Sequence, residues 1–212
     1  MFEYHKIQSI YKRDEKTHKF LDGMWSLKEF EYLKDNKWVF TEKVDGTNIR
    51  VDWDKDTKEI KFGGKTDNSQ MPTLLLDKLL AIFKKETFLS LYPDTSMCLY
   101  GEGHGNKIQK AGRNYKTDGV DFVLFDIKID EAWLERADVE DIANKLGIAL
   151  VPIIGIGTIE EAIGLVRCGF NSKWSTQGND FMAEGLVLRP LVELKSRTGY
   201  RIITKLKTRD FK

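Results

Sequence analysis

The chain has 212 residues, 41% hydrophobic and 32% charged, which predicts a packed core and excludes global disorder. Its 34 basic and 33 acidic side chains leave a formal net charge of +1. Bulk attraction to nucleic acid is thereby excluded, and any such contact has to come from a local basic patch.

The charged run Lys12-Arg13-Asp14-Glu15-Lys16 reads as a solvated loop, and residues 30–33 as a short helical or irregular piece. Residues 39–53 alternate like a strand pair, with Asn48, Arg50 and Asp52 on one face and Ile49, Val51 and Trp53 on the other. Lys43 sits between those strands, where the chain enters a tight turn at Val44-Asp45-Gly46. Residues 54–58 form a turn and 59–63 the next strand. Leu75, Leu76, Leu79, Leu80 and Phe83 recur at helical spacing behind Pro72, which predicts a helix over 72–85. Residues 97–101 and 121–129 read as buried strands, 138–146 as a helix stopped by Gly147, and 148–154 as an apolar strand. Thr158 and Glu161 have capping-box spacing for a helix over 158–168. Two last strands, 185–190 and 200–206, flank the turn Ser196-Arg197-Thr198-Gly199. The sum is an α+β fold with mainly antiparallel sheets and flanking helices, read as one domain over residues 1–212.

Cys98 and Cys168 match no metal spacing and read as reduced, largely buried thiols. The N-terminus carries no signal pattern, and no apolar run approaches the roughly 20 residues that span a bilayer. A soluble, cytoplasmic protein is expected.

Five segments carry chemistry. They are Glu42-Lys43-Val44-Asp45-Gly46-Thr47-Asn48, Leu99-Tyr100-Gly101-Glu102-Gly103, Phe122-Val123-Leu124-Phe125-Asp126, Glu184-Gly185-Leu186-Val187-Leu188-Arg189 and Lys205-Leu206-Lys207. A lysine amine held at a turn can serve as a covalent nucleophile once it is neutral; an ordinary lysine titrates at about 10.4, so neighbours have to favour that form. Lys205 and Lys207 alternate on one strand and emerge on one face, an arrangement that asks for an anion between or beside them. By the same alternation Phe122 and Phe125 should face opposite sides of their strand. Lys107, Lys110, Arg113 and Lys116, with Tyr115 among them, make a local basic stretch that either receives an RNA backbone with one stacked base or is a solvated loop. His104 reads as a loop histidine.

In that order the segments resemble the motifs of the covalent nucleotidyltransferases, the superfamily of polynucleotide ligases and mRNA capping enzymes. Lys-x-Asp-Gly followed by Asn48 is similar to the ATP-dependent RNA ligases; ATP-dependent DNA ligases more often carry arginine at that position. The resemblance implies a nucleotidyltransferase domain, the ATP-grasp-like ligase adenylation fold, with no appended C-terminal domain in this length. It implies that Lys43 attacks ATP, with Lys205 and Lys207 on the α-phosphate. Glu42 meets the adenine, Glu102 the ribose and Phe125 the face of the purine. Asn48 lies beside the α-phosphate and metal-bound waters. Lys65 stands where relatives usually carry a phosphate-binding arginine. Asp126 and Glu184 serve the metal, Mg²⁺ or Mn²⁺. The implied partner is RNA with 5′-phosphate and 3′-hydroxyl ends and no membrane. A GTP-using capping enzyme, a DNA ligase and a non-catalytic RNA- or nucleotide-binding module are the alternatives.

Overall fold

The computed structural model describes residues 3–175 and 180–211. The chain divides into two compact units. The first gathers Asp45–Val151 with the N-terminal residues as far as His5; the second gathers Lys6–Val44, Pro152–Trp174 and the chain from Asp180 onward. The architecture is mixed α+β with mostly antiparallel sheets, as the sequence predicts.

The second unit opens with β1 (Gln8–Ser9), β2 (Tyr11–Arg13), β3 (Phe20–Trp25), α1 (Lys28–Tyr32) and β4 (Trp38–Glu42). The charged run at 12–16 begins inside a strand rather than a loop, since Arg13 pairs with Phe20 across β2 and β3. Only from Asp14 does the chain turn, because the Asp14 carboxylate accepts the amides of Lys16 and Thr17 at 3.1 and 2.7 Å.

The first unit holds β5 (Thr47–Asp54), β6 (Glu59–Gly63), α2 (Thr73–Ile82), α3 (Lys85–Leu91), β7 (Met97–Gly105), α4 (Gly112–Tyr115), β8 (Val120–Ile129), β9 (Ala132–Trp133) and α5 (Arg136–Leu146). Its antiparallel sheet has the order β6-β5-β7-β8-β9. Ile49, Val51 and Trp53 point into the core with Leu75, Leu79, Phe83, Phe122 and Leu124, as their alternation predicts. The helix at 72–85 ends at Ile82, where Phe83 turns extended to drop its ring into that core, and α3 follows. Nothing in the sequence announces α3: Lys84 at its N-cap offers no side-chain bond, and the side chain it buries is Phe88. Gly147 ends α5 in the left-handed conformation, φ 66°.

The second unit resumes with β10 (Ile153–Gly157), α6 (Ile159–Cys168), β11 (Gly185–Pro190), β12 (Thr204–Lys207) and a 3₁₀ turn, Thr208–Phe211. Its sheet has the order β1-β12-β11-β4-β10, antiparallel except for β1 beside β12. The capping box of Thr158 and Glu161 opens α6 as expected. The helix lays Ile159, Ala162, Ile163 and Val166 on Trp38, Phe40, Leu186, Leu188 and Leu206 of the sheet.

Three expectations are corrected, two by pairing and one by exposure. The alternating segment 39–53 is not a strand pair: β4 joins β10 and β11, whereas β5 joins β6 and β7 in the other unit. The apolar strand at 148–154 starts later, because residues 149–151 bond to Leu124 of β8 and Pro152 precedes the register with β4. Cys168 is exposed at the end of α6, while Cys98 is buried on β7 and burial pushes its thiol up to about 11.

Candidate active site

The ends of three adjacent strands build the centre of the second unit. Glu42 at the end of β4 lies opposite Leu186 of β11, and Gly185 opposite Lys207 of β12. The Lys43 amide donates to the Gly185 carbonyl at 2.9 Å, which fixes the lysine backbone beside Glu184. The Thr208 amide in turn donates to the Glu184 carbonyl at 2.8 Å. This register brings the three side chains together. Lys43 Nζ lies 2.7 Å from Glu184 Oε2, and Lys207 Nζ 2.7 Å from Glu184 Oε1. One carboxylate therefore clamps two amines, each oxygen taking one. The side chains are 21%, 14% and 19% exposed for Lys43, Glu184 and Lys207, so the clamp is poorly screened by water.

Lys205 emerges on the same face as Lys207, since Leu206 between them is buried in the α6 core. Among the described residues no carboxylate pairs with it. Burial, and then repulsion from Lys207 and Lys43, lowers the Lys205 ammonium from its ordinary value. Burial works to raise Glu184, yet the ammonium groups of Lys43 and Lys207 overcome it and hold the carboxyl below the usual range. The anion that the spacing of Lys205 and Lys207 calls for is supplied in part by a protein carboxylate, which leaves one cation uncompensated.

Glu42 is buried and already occupied. Its Oε2 accepts the amides of Lys173 and Trp174 at 2.8 and 3.1 Å, and the Ser172 hydroxyl donates to its Oε1. Burial raises its carboxyl above the usual value against the pull of those donors. A carboxylate has about four acceptor directions, so one remains at Oε1.

The first unit carries the other named residues. Asn48 on β5 lies opposite Glu102 on β7, and the approach is close because Gly46 just before β5 faces Gly103. A Cβ at Gly46 would overlap the Gly103 carbonyl oxygen. Asn48 Oδ1 is buried and accepts no hydrogen bond among the described residues, which suits a donor brought by a ligand. Phe122 joins the core and Phe125 does not, as expected. A bulge in β8 pairs Tyr100 with Asp126 and Gly101 with Leu124, leaving Phe125 as the extra residue. Phe125 and Asp126, which plain alternation would separate, both meet Tyr4: its ring packs edge-on to Phe125 at 5.1 Å and its hydroxyl donates to Asp126 Oδ2 at 2.8 Å.

Lys65 is exposed in the loop after β6, and the loop is anchored from beneath by Arg50. That guanidinium is fully buried; Nε donates to the Gly64 carbonyl at 2.7 Å and Nη2 to Asp67 Oδ1 at 2.8 Å. Arg50→Ala is expected to destabilise the protein by about 2–4 kcal/mol, through the void and the orphaned carbonyl; urea denaturation followed by tryptophan fluorescence measures it.

The sequence reading did not find Arg50, Ser172 or Tyr4. A lone arginine among alternating strand residues was a visible oddity; Ser172 and Tyr4 carry no local signal, because their partners lie 130 and 122 residues away. In the basic stretch at 107–116, Lys107, Lys110 and Arg113 are exposed, whereas Tyr115 and Lys116 are engaged within the fold. Tyr115 is buried, accepting the Asp45 amide at 3.1 Å, so it is no stacking platform, and Lys116 pairs with Asp121 at 2.8 Å. His104 belongs to β7 rather than a loop, and burial lowers its imidazole, so it sits there neutral. Among the described residues no three His, Cys, Asp or Glu side chains form a metal-holding group, and no helix is long and apolar enough to cross a membrane.

The RNA ligase family model matches residues 36–207. The fold is similar to solved structures of Naegleria gruberi RNA ligase. A lysine-to-alanine mutant with ATP and Mn is 21% identical, with a TM-score of 0.66 over 87% of this chain and 52% of that one. Another such mutant with ATP and Mn is 19% identical, with a TM-score of 0.67 over 99% and 58%. A lysine-to-methionine mutant with AMP and Mn is 21% identical, with a TM-score of 0.66 over 87% and 53%. The chain thus spans little more than half the length of those proteins. The family match covers most of the sequence, including all five motif segments in full, and on it this chain belongs to the RNA ligase family.

Proposed function

We propose that residues 1–212 constitute a nucleotidyltransferase domain that seals RNA at the expense of ATP. The Lys43 ammonium gives one proton to solvent, the neutral amine attacks the α-phosphorus, a nitrogen–phosphorus bond forms as the bond to pyrophosphate breaks, and the nitrogen loses a second proton to leave the phosphoramidate N–H. The AMP then passes to the 5′-phosphate of an RNA strand and restores Lys43. A 3′-hydroxyl finally attacks that phosphate, and AMP leaves.

The observation that carries this reading is the Lys43–Glu184–Lys207 clamp with Lys205 beside it. A lysine nucleophile needs a fixed direction, and the clamp supplies it. It also needs its carboxylate partner drawn away before attack. A divalent cation, Mg²⁺ or Mn²⁺, would supply that pull and neutralise phosphate charge, with Glu184 and Asp126 as its proposed protein partners. Lys205 and Lys207 would then meet the α-phosphate, which relieves the crowding of like charges. The remaining acceptor direction of Glu42 suits the amino group of adenine. We assign the ribose to Glu102, the purine face to Phe125, the phosphates to Lys65, and the region beside the α-phosphate to Asn48, whose buried oxygen accepts no hydrogen bond among the described residues.

Incubation with α-labelled ATP or GTP and Mg²⁺, followed by denaturing electrophoresis, tests the first step. The expected result is an acid-labile covalent label from ATP that Lys43→Ala abolishes. Label from GTP alone would point to capping chemistry, and none from either to a binding module. A preadenylylated nicked RNA tests sealing by itself.

A further inference from the structure

On the α6 side of the second unit's sheet, the β2–β3 hairpin, the end of α6 and the 3₁₀ turn border a cavity of about 570 Å³. Lys205 and Lys207 leave the opposite face of that sheet, since Leu206 points toward α6. The cavity wall carries four full cations, Arg13, Lys19, Arg167 and Arg209, against two carboxylates, Asp22 and Asp210. An excess of two positive charges is thus concentrated here in a chain whose formal net charge is +1.

Two of the cations are seated on aromatic rings. The Arg13 guanidinium lies 4.3 Å from the Phe20 ring centroid, and that of Arg167 lies 5.5 Å from Phe211. The rings meet edge to face at 5.3 Å. Ion pairs fix the remaining freedom: Arg13 Nη2 lies 2.6 Å from Asp210, and Arg167 Nη2 donates to both oxygens of Asp22 at 2.8 and 2.6 Å. Such exposed pairs contribute little stability, so their effect here is orientation. Among the described residues Lys19 and Arg209 have no ion-pair partner, and Arg167 keeps Nε and Nη1 uncommitted. The cations come from three segments remote in sequence, and the space suits a nucleotide residue rather than one small ion.

We propose that this cavity binds the phosphate backbone of single-stranded RNA, at a distance from the Lys43 clamp, through Lys19, Arg167 and Arg209. Guanidinium planes held on rings present donors for phosphate oxygens and flat faces for a base, a combination that single strands exploit. The choice of RNA over another polyanion rests on the ligase reading above; the site itself rests on the geometry.

The test is a fluorescence-anisotropy titration of labelled single-stranded RNA with the whole chain over a series of KCl concentrations, beside ATP labelling of the same preparations. Lys19→Ala/Arg209→Ala is the first variant, because neither side chain supports the fold. It is expected to bind RNA about tenfold more weakly or worse, with a salt slope shallower by about 1.4, from roughly 0.7 per lost phosphate contact on a single strand. Arg167→Ala should weaken binding further, with circular dichroism checking the fold. Unchanged affinity and slope, or no RNA binding by the wild type at low salt, would overturn the proposal. Tighter binding of labelled polyglutamate than of RNA, lost in the same variants, would overturn it too, in favour of an acidic peptide. Loss of RNA binding with ATP labelling intact supports it; the same loss in a protein that never labels supports the RNA site and sinks the ligase reading alone.

Discussion

Glu184→Gln is expected to reduce covalent labelling by ATP roughly 10²-fold, the scale of losing one preorganised electrostatic partner in an active site. In the wild type each carboxylate oxygen holds one amine at 2.7 Å. Glutamine offers one acceptor oxygen and no charge, so Lys43 and Lys207 compete for it while Lys205 adds its own repulsion. Folding stability should fall by about 2 kcal/mol, below the cost for a fully buried pair because ammonium groups can reach for water. The pH dependence separates charge from shape. Glu184 titrates below its ordinary 4.5 in the folded chain. Its contribution is therefore complete above that value and is lost as the pH falls through the lowered folded value. Denaturant unfolding of the glutamine variant should show a flatter decline below pH 4.5 than the wild type. Equal slopes and equal labelling would show that the clamp is incidental.

Gly185→Ala should be more damaging still, with a loss of about 3–5 kcal/mol and of labelling together. Gly185 has φ 155°, and a Cβ there would overlap the Leu206 carbonyl oxygen and lie 2.8 Å from Lys207 Cα. Neither neighbour is a flexible side-chain tip; both are the backbone of β12. Relief requires β11 and β12 to separate at the pair that aligns Glu184 with Lys207 and, through the 2.9 Å bond from its amide, Lys43. Chemical denaturation gives the stability, and the label gives the geometry. Full labelling in a destabilised protein would mean that the clamp tolerates a splayed strand end.

Local chemistry was legible wherever its determinants are close in sequence. Thr158 and Glu161 announce α6, Gly147 ends α5, and the alternation of Lys205 and Lys207 fixes a shared face. Lys43, Glu184 and Lys207 were each nameable, but not the carboxylate bridging both amines, because strand order makes that contact across 141 residues. The bulge at Phe125 was hidden for the same reason: it exists only relative to β7. Alternation along 39–53 suggested two partnered strands, and only the tertiary pairing sends β4 and β5 to different sheets. The cavity walled by Arg13, Arg167 and Arg209 had no linear signature at all, since each arginine alone looks like an ordinary surface charge.

The parallel seat of β1 beside β12 joins Gln8 to Thr204, with the threonine hydroxyl donating to the Gln8 carbonyl across 196 residues. During synthesis on the ribosome β1 must wait, unmatched, until Thr204 and Lys205 have emerged. The stretch from Asp45 to Val151 suffers no such delay, because its sheet pairs only strands that lie within it. Vectorial folding should therefore assemble this middle portion early and finish the flanking portion last, with the interval in between the moment of greatest exposure to proteases and to aggregation.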